Sequence, residues 1–99
     1  MTRNLLQKKS EWFVFFCHLG YEEKVKETVL EQVHHENMDD LISQIVILSE
    51  NGEGSGRLLV EMVPDISGWH LIRNTGGVTG FVEDKSGPIP HHLSATPKR

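Results

Sequence analysis

Six histidines, one cysteine and a short glycine-rich stretch are the parts of this sequence whose residue types could do chemistry. His18, His34, His35, His70, His91 and His92 could each bind a transition metal through a neutral imidazole. A helical ligand pair needs i, i+4 spacing, however, and none of the six has a histidine partner there. His34-His35 would point to two sides of a helix and His91-His92 follows Pro90 in a loop, so all read as solvated. Cys17 could be a nucleophile only beside a base in an electropositive setting. In the apolar run Trp12-Phe13-Val14-Phe15-Phe16-Cys17 it reads instead as a small buried hydrophobe. Gly52-Glu53-Gly54-Ser55-Gly56 lacks the lysine of a phosphate loop and precedes a strand rather than a helix. Asp39-Asp40 is turn chemistry rather than a catalytic carboxylate pair. No catalytic residue, metal or cofactor is expected, and the chain is not expected to be an enzyme.

The composition narrows the remaining classes. Ninety-nine residues with 37% apolar and 24% charged side chains make one small soluble domain. Ten basic against fourteen acidic side chains leave a net charge of −4, which disfavours broad binding to nucleic-acid phosphates. No apolar run approaches the roughly 18 residues of a membrane span, and Met1 to Ser10 has no apolar core for export. A single cysteine excludes an intramolecular disulfide and suits a reducing compartment.

The elements that must position the side chains follow from periodicity. Trp12 to Cys17 is a strand of aromatic, β-branched and small residues, apolar on both faces. Tyr21, Val25, Val29 and Val33 recur at four with charged residues between them, an amphipathic helix ending near Asn37. Ile42 to Leu48 is a second strand, and Gly52 to Gly56 reads as a flexible connection to a third, Arg57 to Val63. Pro64 stops that strand, and a helix capped by Asp65 or Ser67 carries Trp69, Leu71 and Ile72. Val78 to Val82 is the fourth strand, and Ser86 to Pro90 reads as loop. The order predicts an α+β fold, the split βαβ (ferredoxin-like) four-stranded antiparallel sheet with both helices on one face. Right-handed crossovers place strands one and three centrally, and the other face has no helix to cover it. Phe13, Phe15 and Phe16 cannot all point inward on such a strand.

Four motifs carry a resemblance to a known family. Glu11-Trp12-Phe13-Val14 followed by Gly20-Tyr21-Glu22-Glu23-Lys24-Val25 resembles the opening of the N-terminal domain of NusG-type transcription factors. Asn37-Met38-Asp39-Asp40-Leu41-Ile42 resembles the family's Asn-Met-Glu-Asp turn. Ser67-Gly68-Trp69-His70-Leu71-Ile72-Arg73 resembles its Ser-Trp-His-Leu-Val-Arg helix, with one residue inserted. Gly77-Val78-Thr79-Gly80-Phe81-Val82 resembles its last strand. Within the NusG/RfaH family, Phe15-Phe16-Cys17 is more similar to the Leu-Tyr-Cys of RfaH than to the Val-Gln-Ala of NusG. Two departures stand out: Ser55-Gly56-Arg57 replaces the Pro-Gly-Tyr that ends a longer basic insertion, and nothing resembles the family's C-terminal KOW barrel. The expected organisation is a leader over 1–10, the NusG-like domain over 11–90 and a loose tail over 91–99.

The resemblance implies a transcription elongation and antitermination factor that docks on the clamp helices of the largest catalytic RNA polymerase subunit and modulates pausing and processivity. It implies a cytoplasmic monomer without membrane contact, touching non-template DNA incidentally. Phe16 matches an aromatic of the family's docking depression, Leu59 an apolar contact, and Arg57 stands where the family has tyrosine. Gly68, Trp69 and His70 match the segment facing the opposite side of the DNA cleft. Read as residues, Trp12 and Phe81 are expected in the core, Trp69 is expected to pack its helix on the sheet, and His70 is expected to be exposed. The alternative is an RRM-like RNA-binding module, which calls for base-stacking aromatics on the third strand; Arg57 to Val63 has none.

Overall fold

A computed structural model describes residues 9–91, so most of the expected leader and tail lie outside the described residues. The chain runs β1 (Glu11–Cys17), α1 (Glu22–His35), β2 (Ile42–Glu50), β3 (Glu53–Met62), α2 (Ile66–Arg73) and β4 (Val78–Phe81). A small hairpin of β5 (Glu83–Asp84) and β6 (Gly87–Pro88) follows. The main sheet has the order β2-β3-β1-β4 with every pair antiparallel, the split βαβ arrangement expected from the element order.

Position and period together decide where β1 sends its side chains. Successive residues of a strand face opposite sides, and Phe13, Phe15 and Cys17 all enter the core under the helices. Phe13 and Phe15 have no exposure, and Phe15 stacks on Phe81 at 5.7 Å. Leu58, Val60 and Met62 of β3 join them, with Ile45 of β2. Val25, Val29 and Val33 of α1 and Ile72 of α2 close this core from one side.

α1 has a recognisable cap at its C-terminal end and α2 at its N-terminal end. Glu22 and Glu23 occupy the first turn of α1 and His34 and His35 its last, complementing the helix dipole. At its end Asn37 takes a positive φ of 58°, and the Asn37 and Met38 N–H groups donate to the His34 and Val33 carbonyls in a Schellman closure. The Asp65 carboxylate caps α2 by accepting from the Ser67 N–H at 2.9 Å.

Three local expectations are corrected. Tyr21 lies ahead of α1 and is half exposed, so the buried helix stripe begins at Val25. The residues from Gly52 to Gly56 are no flexible connection: β2 continues to Glu50, β3 begins at Glu53, and Asn51-Gly52 alone makes the turn. Both turn residues have positive φ, 54° and 81°, as in a type I′ hairpin, and Asn-Gly is the pair that tolerates this. Glu83 to Pro88 is a two-stranded hairpin rather than loop, closed by the Ser86 N–H donating to the Asp84 carboxylate.

Phe15→Ala should cost about 3–5 kcal/mol, as a fully buried aromatic does, whereas Phe16→Ala should cost less than about 2 kcal/mol. Urea unfolding of the two variants checks the difference.

Candidate functional site

The alternation that buries Phe13 and Phe15 turns Trp12, Val14 and Phe16 to the face that carries no helix among the described residues. Strand register extends that face into cross-strand rows. Val14 lies opposite Leu59, which lies opposite Val46; Phe16 lies opposite Arg57, then Leu48; Trp12 lies opposite Glu61, then Gln44. Val14 and Leu59 are only 8% and 7% exposed, yet neither belongs to the helix-side core. They form a separate apolar seam, bordered by the exposed Val46 and the half-buried Phe16, Leu48 and Trp12. Trp12 is therefore not core, as its residue type suggested, because its parity on β1 opposes that of Phe13. Gly80 of β4 sits beside Phe16 in register, and a Cβ there would make only ordinary contact with the ring, at 3.9 Å. Polar pairing limits the seam on one side, where the Gln44 amide donates to Glu61 at 3.0 Å.

A carboxylate anchors one end of this face from behind. Glu22 is 6% exposed; its Oε2 accepts from the Gly56 N–H at 2.8 Å and its Oε1 from the Gly20 N–H at 3.1 Å. These bonds, with its own backbone N–H contributing most, hold its pKa below the ordinary glutamate value despite the opposing effect of burial. The glycines make this contact possible. A Cβ on Gly54 would fall 2.5 Å from the Glu22 carboxylate, and one on Gly56 would crowd the Cys17 carbonyl at 3.0 Å, with φ at +75°. Between Leu48 opposite Arg57 and Ser49 opposite Gly54, the extra residues Ser55 and Gly56 form a bulge. The Ser55 hydroxyl donates across it to the Leu48 carbonyl at 2.9 Å. Cys17 lies close by, its thiol pushed up first by burial and then by the Glu22 charge, the reverse of an activated nucleophile.

The remaining expected site residues occupy the helical layer. Gly68 is buried where α2 meets the sheet, and a Cβ there would meet Met62 Sδ at 3.4 Å and Ile42 at 3.6 Å. Trp69 packs against the core, and its indole N–H donates to Glu83 at 2.9 Å. Arg73 reaches the same carboxylate oxygen at 3.2 Å and lies over the Trp69 ring at 5.4 Å, so the β5–β6 hairpin is tied to α2. His70 is exposed, its ring 5.2 Å from that of Trp69. Phe16, Arg57 and Leu59 are thus brought together, while Gly68, Trp69 and His70 lie across the sheet from them. Sequence reasoning missed Val14, Val46 and Leu48, which only register joins to Leu59, and Glu22, whose place in a helical first turn hid its burial.

Among the described residues no group of three histidine, cysteine or acidic side chains could hold a metal, and no helix is long and apolar enough to cross a membrane. A shallow cleft lined by Arg73, Val78, Thr79 and Gly80 holds about 60 Å³, far below the ~300 Å³ at which small-molecule pockets begin. On β3 the helix-free face presents Arg57, Leu59 and Glu61, none of them a base-stacking aromatic.

An antiparallel βαββαβ sheet with two helices on one side and an apolar seam on the other defines an α+β domain of the split βαβ class. The family model described as transcription termination factor nusG matches residues 10–95, and the chain belongs to that family. It is 38% identical to the transcription termination/antitermination protein NusG of Lactococcus lactis, covering 88% of this chain and 56% of that protein. That alignment runs over 104 positions, more than this chain has, so the relative carries residues within it that are missing here. The corresponding protein of Bacillus subtilis is 35% identical over 75% of this chain and half of its own length. A solved structure described as domain interaction in Thermotoga maritima NusG superposes with a TM-score of 0.69 at 30% identity, covering 84% of this chain and 51% of that one. The chain spans about half the length of the curated relatives it matches, and those relatives are named as transcription factors rather than enzymes.

The lowered Glu22 pKa gives a pH signature. A depressed carboxylate stabilises the fold above its unfolded-state pKa, and that contribution is lost as the pH falls through the folded value. Melting temperature should therefore drop more steeply below about pH 4.3, the ordinary glutamate value, in the wild type than in Glu22→Gln. Parallel melting curves for the two proteins would contradict this assignment.

Proposed function

We propose that the helix-free sheet face docks on the coiled-coil clamp helices of the largest catalytic subunit of RNA polymerase, and that the bound domain modulates pausing and processivity. The observation that carries this reading is the seam Val14–Leu59–Val46 with Phe16 and Leu48 beside it, apolar and with no helix over it among the described residues. A helical tip buries its apolar side chains in such a depression, and soluble domains seldom leave a contiguous apolar face without a partner. Arg57 and Glu61 flank Leu59 along β3 and supply opposite charges at the border of the seam. Family membership supports the polymerase as partner.

The role of α2 divides among its residues in this proposal. Gly68 is buried where α2 lies on the sheet, Trp69 fixes the β5–β6 hairpin, and exposed His70 is the residue of the three that faces the opposite side of the cleft. With a net charge of −4 the domain touches non-template DNA only incidentally. It acts as a monomer in the bacterial cytoplasm and uses no cofactor.

A pull-down with the isolated clamp-helix fragment of a cognate polymerase tests the docking. Phe16→Ala should weaken capture about tenfold or more, as truncation of a central aromatic contact does, and Val46→Asp should abolish it. His70→Ala, on the other layer, should leave it unchanged. Failure of the wild-type chain to bind would refute the docking assignment, and equal binding by Phe16→Ala would refute the role of Phe16.

A further inference from the structure

Glu22 lies behind the sheet, yet its carboxylate holds the residue next to Arg57. The path is one hydrogen bond and one peptide link: Oε2 accepts from the Gly56 N–H at 2.8 Å, Gly56 is the second residue of the bulge, and Arg57 resumes the ladder opposite both Phe16 and Leu48. The bulge inserts two residues, Ser55 and Gly56, and so sets the register in which Arg57 rejoins the ladder, opposite Phe16 and Leu48. The bulge is held at two places, by Glu22 on Gly56 and by the Ser55 hydroxyl on Leu48. The second is an exchangeable hydroxyl bond to a carbonyl that is already part of the sheet. The first is charge-assisted and buried, and it leads back through Gly20 to the start of α1.

We infer that Glu22 is a positioning residue for the docking face: it clamps the Gly56 bulge to the start of α1 and so aims Arg57 at the face occupied by Phe16 and Leu59. Glu22 touches no partner itself. The inference rests on the docking reading for its functional consequence, but its geometric half stands alone. It also gives Gly54 and Gly56 a specific duty, since a side chain on Gly54 would occupy the space of the carboxylate.

Two variants remove the clamp in different ways. Glu22→Ala deletes the acceptor, and Gly54→Ala leaves Glu22 in place but displaces its carboxylate. Exposed Glu23→Ala is the control. Hydrogen exchange by NMR should show the Gly56 amide losing at least about tenfold of its protection in both variants, with Val60 in the same strand unchanged. The nuclear Overhauser contacts between Arg57 and Phe16 should weaken along with it. Retained Gly56 protection, or equal losses at Gly56 and Val60, would overturn the positioning role, the second because it marks general destabilisation.

Docking to the clamp-helix fragment supplies the functional arm. Glu22→Ala should weaken it about fivefold in the wild-type background and hardly at all in Arg57→Ala, because the two changes act through one contact. Equal losses in both backgrounds would overturn the claim that Glu22 acts through Arg57. If the wild-type chain does not bind the fragment, the docking reading fails, and the exchange data still decide whether Glu22 positions Arg57.

Discussion

A central strand without a polar residue between Trp12 and Cys17 is the constraint on which the rest of this structure depends. Period two sends Phe13, Phe15 and Cys17 one way and Trp12, Val14 and Phe16 the other. One pair of helices can cover only the first set. The second must be satisfied by neighbours on its own face, and the structure supplies them: Leu59 and then Val46 in the row with Val14, and Arg57 and Gly80 on either side of Phe16. The result is a domain with two apolar layers, one closed by its own helices and one left shallow.

The helix-side layer is also where the geometry of the shallow layer is controlled. Glu22 belongs to the first turn of α1, where the dipole favours an acidic residue, but its carboxylate turns into the hairpin instead of into solvent. Burying a carboxylate is costly unless several donors meet it, and here backbone N–H groups from Gly20 and Gly56 do so. That requirement explains a glycine-rich hairpin better than flexibility does. On the opposite flank, Trp69, Arg73 and Glu83 tie the β5–β6 hairpin to α2 in the same manner, with a carboxylate accepting from donors on a helix.

Much of this was legible in the residues. The switch from apolar runs to spacing of four located every main element, and the order of elements led to the sheet topology. Asn37 and Asp65 marked helix ends by their own backbone and side-chain chemistry. What failed to show has physical causes. Tyr21 continues the helical spacing but precedes the helix, and Trp12 is large and aromatic but has the wrong parity for the core. Gly54 and Gly56 look like a loop because glycine is common in loops, whereas here Gly54 leaves the space that the Glu22 carboxylate fills and Gly56 donates its N–H to that carboxylate from 34 positions away. Register, and with it the seam joining Val14, Leu59 and Val46, is a property of pairing and cannot be seen in any one strand.

The claim that the helix-free face is the docking surface is tested most directly by mapping amide shifts of isotope-labelled chain during titration with the clamp-helix fragment. The account predicts changes centred on Val14, Phe16, Val46, Leu48 and Leu59, with the solvent side of α1 around Glu27 and Glu31 silent. Changes centred on α1 or α2, with the β1–β3–β2 face silent, would contradict it.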